Sequence, residues 1–212
     1  MEELINYLKS KLKIEDTKFL EKDILLHRVL VRLMKAPFKD DYAFKGGTCL
    51  TKCHLGYYRF SEDMDFTYIH QEEWVGKSAK QLRKIISKKI DEIIKVLVPV
   101  CDELGLDFKP EKSNTRYLMF GGNNKFTTFK VWYQNNQEKK EDFIKLQINF
   151  HEIIINKSTL MTAKSLYASL QKKEFELLFP DFLDILDEVE LQAYSLEEIF
   201  LEKIRAILTR RG

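Results

Sequence analysis

Long apolar runs are missing from this sequence. No stretch approaches the roughly 18 residues a membrane-crossing helix needs, so no membrane part is expected. The opening Met1-Glu2-Glu3-Leu4 lacks the basic and apolar regions of a signal peptide. Cysteine is scarce: three in 212 residues, an odd number without framework spacing. That argues against a disulfide scaffold and suits a reduced cytoplasm. Cys49 and Cys53 lie one helical turn apart with His54 beside Cys53. No second ligand pair appears elsewhere, so small core side chains are expected there rather than zinc. An excess of charge of either sign is also missing, since 35 basic and 33 acidic residues leave +2. This balance neither demands nor excludes a nucleic-acid partner; any basic surface must be local. Repeats and low-complexity tracts are absent. The length suffices for a full core in one domain.

Glycine is sparse, eight in all, and the first of its two adjacent pairs is Gly46-Gly47. The short apolar run Tyr42-Ala43-Phe44 reads as a strand that ends at this pair. Two glycines let the backbone turn tightly and approach a ligand closely, because no Cβ intervenes. Thr48 is placed to cap or open a following helix, with Cys49, Leu50, Cys53 and Leu55 as its apolar stripe. A helix N-terminus with free N–H groups suits a phosphate. Downstream comes Phe60-Ser61-Glu62-Asp63-Met64-Asp65-Phe66. On a strand, Asp63 and Asp65 share one face while Met64 and Phe66 point to the core. Two carboxylates on one face repel unless a cation sits between them, and hard oxygen ligands suit Mg²⁺ or Mn²⁺. Either Gly-Gly or Asp-x-Asp alone is an ordinary turn. Together, in strand–turn–helix–strand order with Arg59 and Ser61 just before the acids, they describe a nucleoside triphosphate site.

The rest of the chain frames this motif. Glu2 to Lys13 is expected to be an amphipathic helix. Asp16 or Thr17 caps a second, running to about Met34. Within it, Lys22 and Asp23 are expected on a solvated face. Lys77 to Val98 is a long helix stopped by Pro99. It buries Leu82, Ile86, Ile90, Ile93 and Leu97 and presents Lys77, Lys80, Lys84 and Lys88 on the other side. That row suits an RNA backbone or simply an exposed helix face. Period-two patterning then predicts strands at Phe108, Tyr117–Phe120, Phe126–Tyr133 and Phe143–Phe150, with Gly121-Gly122-Asn123-Asn124 as a hairpin connection and Asn135–Asp142 as a polar loop. Residues 157–187 suggest a helix or irregular packing. Ser195-Leu196-Glu197-Glu198 is a capping box opening a helix to about Leu208, with Ile199, Phe200, Ile204 and Ile207 or Leu208 toward the core. Lys203, Arg205 and Arg210 are its basic residues.

Lys-Gly-Gly-Thr-x-Leu followed by Arg-Phe-Ser-Glu-Asp-Met-Asp-Phe resembles the signature of the AbiEii/AbiGii toxin family of nucleotidyltransferases, within the polymerase β-like superfamily. The C-terminal run from Tyr194 to Arg211, of the form Glu-Lys-x-Arg-Ala, resembles the same family in the expected order. The resemblance implies an α+β nucleotidyltransferase fold: a mixed sheet flanked by helices. It would form a single domain over 1–212, with helical parts at about 1–38 and 157–212 around a core at about 40–155. It implies that Gly46, Gly47, Thr48, Arg59 and Ser61 bind the nucleotide, that Asp63 and Asp65 hold Mg²⁺ or Mn²⁺, and that Lys203 joins them in catalysis. It implies transfer of a nucleoside monophosphate from an NTP to an RNA, tRNA or protein acceptor, in a toxin–antitoxin or phage-defence setting with a cognate antitoxin. Two departures stand out. Gln147 occupies the place of a third carboxylate, leaving Asp63 and Asp65 alone or with Glu152. The sequence also stops at Arg211-Gly212 where members usually continue, so a short member or a fragment is expected. A catalytically lapsed nucleotide- or RNA-binding module is the alternative. An unrelated α+β interaction protein would require both motifs to be coincidences.

Overall fold

A computed structural model describes residues 1–122, 125–136 and 138–209. Helix α1 (Glu2–Leu12) buries Leu4, Ile5 and Leu8 and ends at Lys13, whose φ of 57° is left-handed. Helix α2 (Thr17–Leu33) is capped as expected, the Asp16 side chain accepting from the Phe19 N–H at 3.4 Å. Next come a helical turn α3 (Phe38–Asp41), strand β1 (Tyr42–Lys45), helical turn α4 (Gly46–Cys49) with a π-helical continuation at Leu50–Leu55, and strand β2 (Asp63–Tyr68). Helix α5 (Ala79–Leu104) precedes β3 (Leu118–Gly121), β4 (Phe126–Gln134), β5 (Glu141–Asn149) and β6 (Thr159–Ala163). Helix α6 (Lys172–Leu178), a 3₁₀ segment (Pro180–Leu186), β7 (Val189–Ala193) and α7 (Leu196–Thr209) complete the described chain.

The strands form one mixed sheet in the order β3-β4-β5-β2-β1-β7-β6. The pairs β2–β5 and β1–β7 are parallel and the others antiparallel. This is the expected α+β class, a mixed sheet flanked by helices. Phe44, Met64, Phe66, Leu146, Ile148 and Phe129 belong to one apolar core with Val29 and Leu30 of α2 and Ile86, Ile90, Ile93 and Leu97 of α5. Because strand side chains alternate, Asp63 and Asp65 leave the sheet on the opposite face. No described helix is long and apolar enough to cross a membrane.

Several expectations are corrected. Pro99 does not stop the long helix, which runs to Leu104 and ends at Gly105 with φ 67°. A proline inside a helix forfeits one backbone bond. Here it lies on the exposed side, while Leu97, Val100 and Cys101 in the flanking turns stay buried. Its start is Ala79, behind a Ser78–Gln81 capping box. Phe108 is not in a strand; only Asp107 bridges to Trp132. The expected hairpin after β3 does connect to antiparallel β4, though Asn123 and Asn124, like Gln137, Arg210 and Arg211, lie outside the described residues. The part after 157 is not simply helical, because β6 and β7 were not anticipated. Val189-Glu190-Leu191-Gln192-Ala193 alternates for only five residues, and its pairing with β1 is a tertiary event that no local pattern announces.

Lys22 and Asp23 are not solvated. Glu21, Lys22, Asp23 and His27 are all buried. A buried charge persists where a partner meets it. Lys22 Nζ donates to Glu62 Oε2 at 2.9 Å and Asp142 Oδ1 at 3.4 Å. Glu21 accepts from the Asn136 N–H at 3.1 Å. Asp23 lies 3.2 Å from Lys52 Nζ and accepts from the Tyr167 hydroxyl at 3.0 Å. His27 bonds the Asp187 carbonyl at 2.8 Å. Burial, with Lys52⁺ beside it, pushes His27 down to about 4. The neutral ring is therefore the folded form. Its contribution is fully present above the unfolded value near 6.5 and is lost as pH falls toward 4. In urea melts between pH 7.5 and 4, we expect the wild type to lose about 3 kcal/mol more than His27→Gln. Parallel pH curves for the two proteins would remove His27 as the cause.

Candidate active site

Strand β1 ends beside the acids: Lys45 is the antiparallel partner of Asp65. Gly46 follows with φ +76°, where an L side chain is strained. A Cβ at Gly46 would collide with Asp65 Oδ2 and sit 3.1 Å from Asp65 Cβ. A Cβ at Gly47 would lie 2.7 Å from Arg59 Nη2 and 3.3 Å from Ser61 Oγ. The two glycines are therefore the close-approach surface for the strand and loop that carry the other candidate residues.

Thr48 does not cap the following helix. The helical turn begins at Gly46 with Lys45 at its cap. The Thr48 hydroxyl donates instead to the Asp63 carbonyl and lies 2.8 Å from Ser61 Oγ. It ties the turn to the start of β2, so Gly46, Gly47, Thr48, Arg59, Ser61, Asp63 and Asp65 form one cluster. The π-helical turn that follows sends Lys52 inward to Asp23 and leaves Leu55 57% exposed, so the apolar stripe ends at Cys53. His54 bonds the Tyr194 carbonyl at 2.9 Å.

The two acids differ. Asp63 Oδ2 pairs with Lys145 Nζ of β5 at 2.9 Å. Asp65 is half-buried, and no hydrogen bond or ion pair reaches its carboxylate among the described residues. Loss of solvent, opposed by Lys45 and reinforced by Asp63, pushes Asp65 up to about 6. Gln147 is the parallel partner of Asp65 on β5, so no third carboxylate stands there. Glu152 is committed elsewhere, its Oε2 accepting from Lys45 Nζ and Thr67 Oγ1, both at 2.7 Å, and from the Tyr194 hydroxyl at 3.2 Å.

Helix α7 lies on the carboxylate side, joined to β1 by Glu202 Oε1, which accepts from Lys45 Nζ at 2.7 Å. Ser195 caps it by accepting from the Glu198 N–H at 3.2 Å. The Glu198 carboxylate does not return to the cap. It is buried and accepts from the Asn156 N–H at 2.8 Å and from Arg205 at 3.0 Å. The expected apolar face is also corrected. Ile199 is buried, but Phe200 is 65% and Ile207 72% exposed, and Ile204 and Leu208 are exposed as well. Besides Ile199, the helix turns the charged Glu198 and Glu202 inward, and its apolar flank instead borders an open groove with Leu50 and Leu55. Lys203 lines that groove and is exposed. The lysines at 77, 80, 84 and 88 are exposed and belong to α5 or its lead-in, across the sheet from the acids.

Sequence reasoning gave no role to Lys45, Lys145 or Glu202. Strand alternation was a usable signal for the two lysines, which share the acids' face. Nothing local marks Glu202. Taken together, four carboxylates (Asp63, Asp65, Glu152, Glu202) face two ammoniums (Lys45, Lys145), a net charge of −2 when all are ionised. Among the described residues no three His, Cys, Asp or Glu are grouped to enclose a metal by themselves. Glu152 and Glu202 are held by Lys45, so a divalent cation on Asp63 and Asp65 would take its remaining oxygens from phosphates and water.

Comparison with known proteins gives the following. The family model for the nucleotidyl transferase AbiEii toxin of a Type IV TA system matches residues 28–212. The solved structure of JHP933 from Helicobacter pylori is similar at 15% identity and a TM-score of 0.45, over 90% of this chain and 57% of that one. A second Helicobacter pylori structure, provisionally assigned as a nucleotidyltransferase, is similar at 16% identity and a TM-score of 0.42, over 90% of this chain and 59% of that one. The chain therefore spans less than two thirds of either structure. No curated protein matches it.

Proposed function

This chain belongs to the AbiEii nucleotidyl transferase toxin family, and from that premise we propose that it transfers a nucleoside monophosphate from an NTP to an RNA, tRNA or protein acceptor. The acceptor oxygen attacks the α-phosphorus, the bond to the bridging oxygen of the β-phosphate breaks, and pyrophosphate leaves. The setting is the cytoplasm, as the toxin of a toxin–antitoxin or phage-defence pair restrained by a cognate antitoxin. The observation that carries this function is the convergence of Gly46 on Asp65 and of Gly47 on Arg59 and Ser61.

In this proposal the Gly46-Gly47 backbone and Thr48 cradle the phosphates, with Arg59 and Ser61 at their flank. Arg59 is exposed and near enough to Gly47 to meet a phosphate there. Asp63 and Asp65 would hold Mg²⁺ or Mn²⁺, which supplies Lewis-acid stabilisation of charge on the phosphoryl oxygens. Lys203, exposed on the helix that docks on the same side, is assigned to the outer phosphates as a flexible point charge.

Calorimetry with ATP and GTP tests the site. Binding is expected with Mg²⁺ or Mn²⁺ and a loss of about tenfold or more in EDTA. Equal affinity in both conditions rules out the cation-bridged site. Gln147 opposite Asp65 favours a second function, a lapsed nucleotide- or RNA-binding module. A chain that binds Mg²⁺–NTP yet passes no α-phosphate label to RNA or protein would be that module.

A further inference from the structure

We propose that Lys45 is a positioning residue whose ammonium is held away from Asp65 by Glu202, so that docking of α7 keeps Asp65 open to a divalent cation. This rests on the nucleotide site proposed above and adds a control to it.

Lys45 and Asp65 are cross-strand partners on one face of the sheet. Such neighbours have Cβ atoms about 4.5–5.5 Å apart, well within the reach of a lysine side chain. A change of rotamer is all that separates Lys45 from an ion pair with Asp65. The same face already holds one such pair, Lys145 on Asp63 at 2.9 Å. Yet Lys45 Nζ is turned to Glu152 and Glu202, at 2.7 Å each.

The two anchors are unequal. Glu152 Oε2 also receives Thr67 Oγ1 and the Tyr194 hydroxyl, so it stays hydrogen-bonded if the lysine leaves. Glu202 has no such support. Its Oε1 takes Lys45, and its Oε2 is buried without a partner among the described residues. A buried carboxylate that lacks other donors depends on its cation. Glu202 is therefore the anchor that needs Lys45 and competes for it against Asp65. Remove Glu202 and the choice falls between Glu152, already bonded twice, and Asp65, whose carboxylate has no bond among the described residues. The lysine then moves to Asp65, and a second cation is repelled from that carboxylate. Two contacts clamp α7 to the segment after β5 and so keep Glu202 in place: Arg205 to the Ile153 carbonyl at 2.6 Å and Glu198 to the Asn156 N–H at 2.8 Å.

The test is Mn²⁺ binding to the full chain, followed by electron paramagnetic resonance of free Mn²⁺ and paired with thermal melts. Glu202→Ala is expected to weaken Mn²⁺ about tenfold or more, although its contacts are to lysine rather than to the acids. Lys45→Met is expected to bind at least as tightly as wild type. The double variant is expected to return to within about threefold of wild type. Rescue by deleting the lysine is the outcome that neither a helix merely undocked nor a direct metal-ligand role for Glu202 produces. A double variant as weak as Glu202→Ala overturns the proposal, as does a Glu202→Ala protein that binds like wild type. Should Glu202→Ala melt below the assay temperature, Glu202→Gln keeps the side-chain volume and is expected to weaken Mn²⁺ in the same direction; wild-type affinity there overturns it too. A wild type that binds no Mn²⁺ refutes the nucleotide site itself, a result distinct from these.

Discussion

Asp65→Asn is expected to lower nucleotidyl transfer about a thousandfold or more and, in EDTA, to raise the melting temperature. The two effects share one cause. The carboxylate is half-buried, lacks a partner among the described residues and faces Asp63, so its charge is costly to hold until a cation arrives. An acid whose folded value is raised from 3.8 to about 6 destabilises the fold as pH climbs through that window. At pH 7 and without metal, the amide should add on the order of 2 kcal/mol. Asp63→Asn should abolish transfer as severely with little change in stability, because its pair with Lys145 is still partly open to solvent and such pairs contribute about 0–1 kcal/mol. Transfer of an α-phosphate label and melts in EDTA measure both. A large fall in melting temperature for Asp65→Asn means that the carboxylate is structural.

Gly46→Ala is the second large effect. Its Cβ would strike Asp65 Oδ2 in a backbone conformation with φ +76°. Left-handed strain costs an L residue about 1–2 kcal/mol, and overpacking adds about 1–3. A loss of about 2–5 kcal/mol is expected, together with loss of Mn²⁺ binding, because relief of the clash requires Asp65 to turn away. Gly105→Ala is the control. It shares a positive φ of 67° but meets nothing within 4 Å, so it should pay only the backbone cost and keep Mn²⁺ affinity. If both variants lose affinity equally, the Gly46 contact is not what shapes the site.

Much of this site was legible in order along the chain. Gly46-Gly47 and Asp63-x-Asp65 announce themselves because local backbone rules, turn and alternation, fix their geometry. The helices α1, α2 and α5 and strands β3–β5 follow from apolar periodicity for the same reason. Lys22 and Asp23 were not legible as buried groups, since their partners Glu62, Asp142, Lys52 and Tyr167 lie far along the chain. Strand β7 escaped because five alternating residues mean little until β1 offers an edge. The apolar residues of α7 suggested a packed face, but periodicity reports amphipathicity and does not say which flank meets the sheet. Glu202 and Lys45 are 157 residues apart, and only the fold joins them.

That separation has a bearing on synthesis. Domains form as the chain emerges, and pairings between distant segments come late. Strand β1 and the glycine turn leave the ribosome early, but the parallel neighbour of β1 and the carboxylate that grips Lys45 emerge only near the end of the described chain. A nascent chain therefore carries the glycine turn and both aspartates long before the sheet closes on them. For a protein of a toxin family, this order delays assembly of the proposed site until β7 and α7 have been made, and polypeptides released before Val189 lack the strand that pairs with β1.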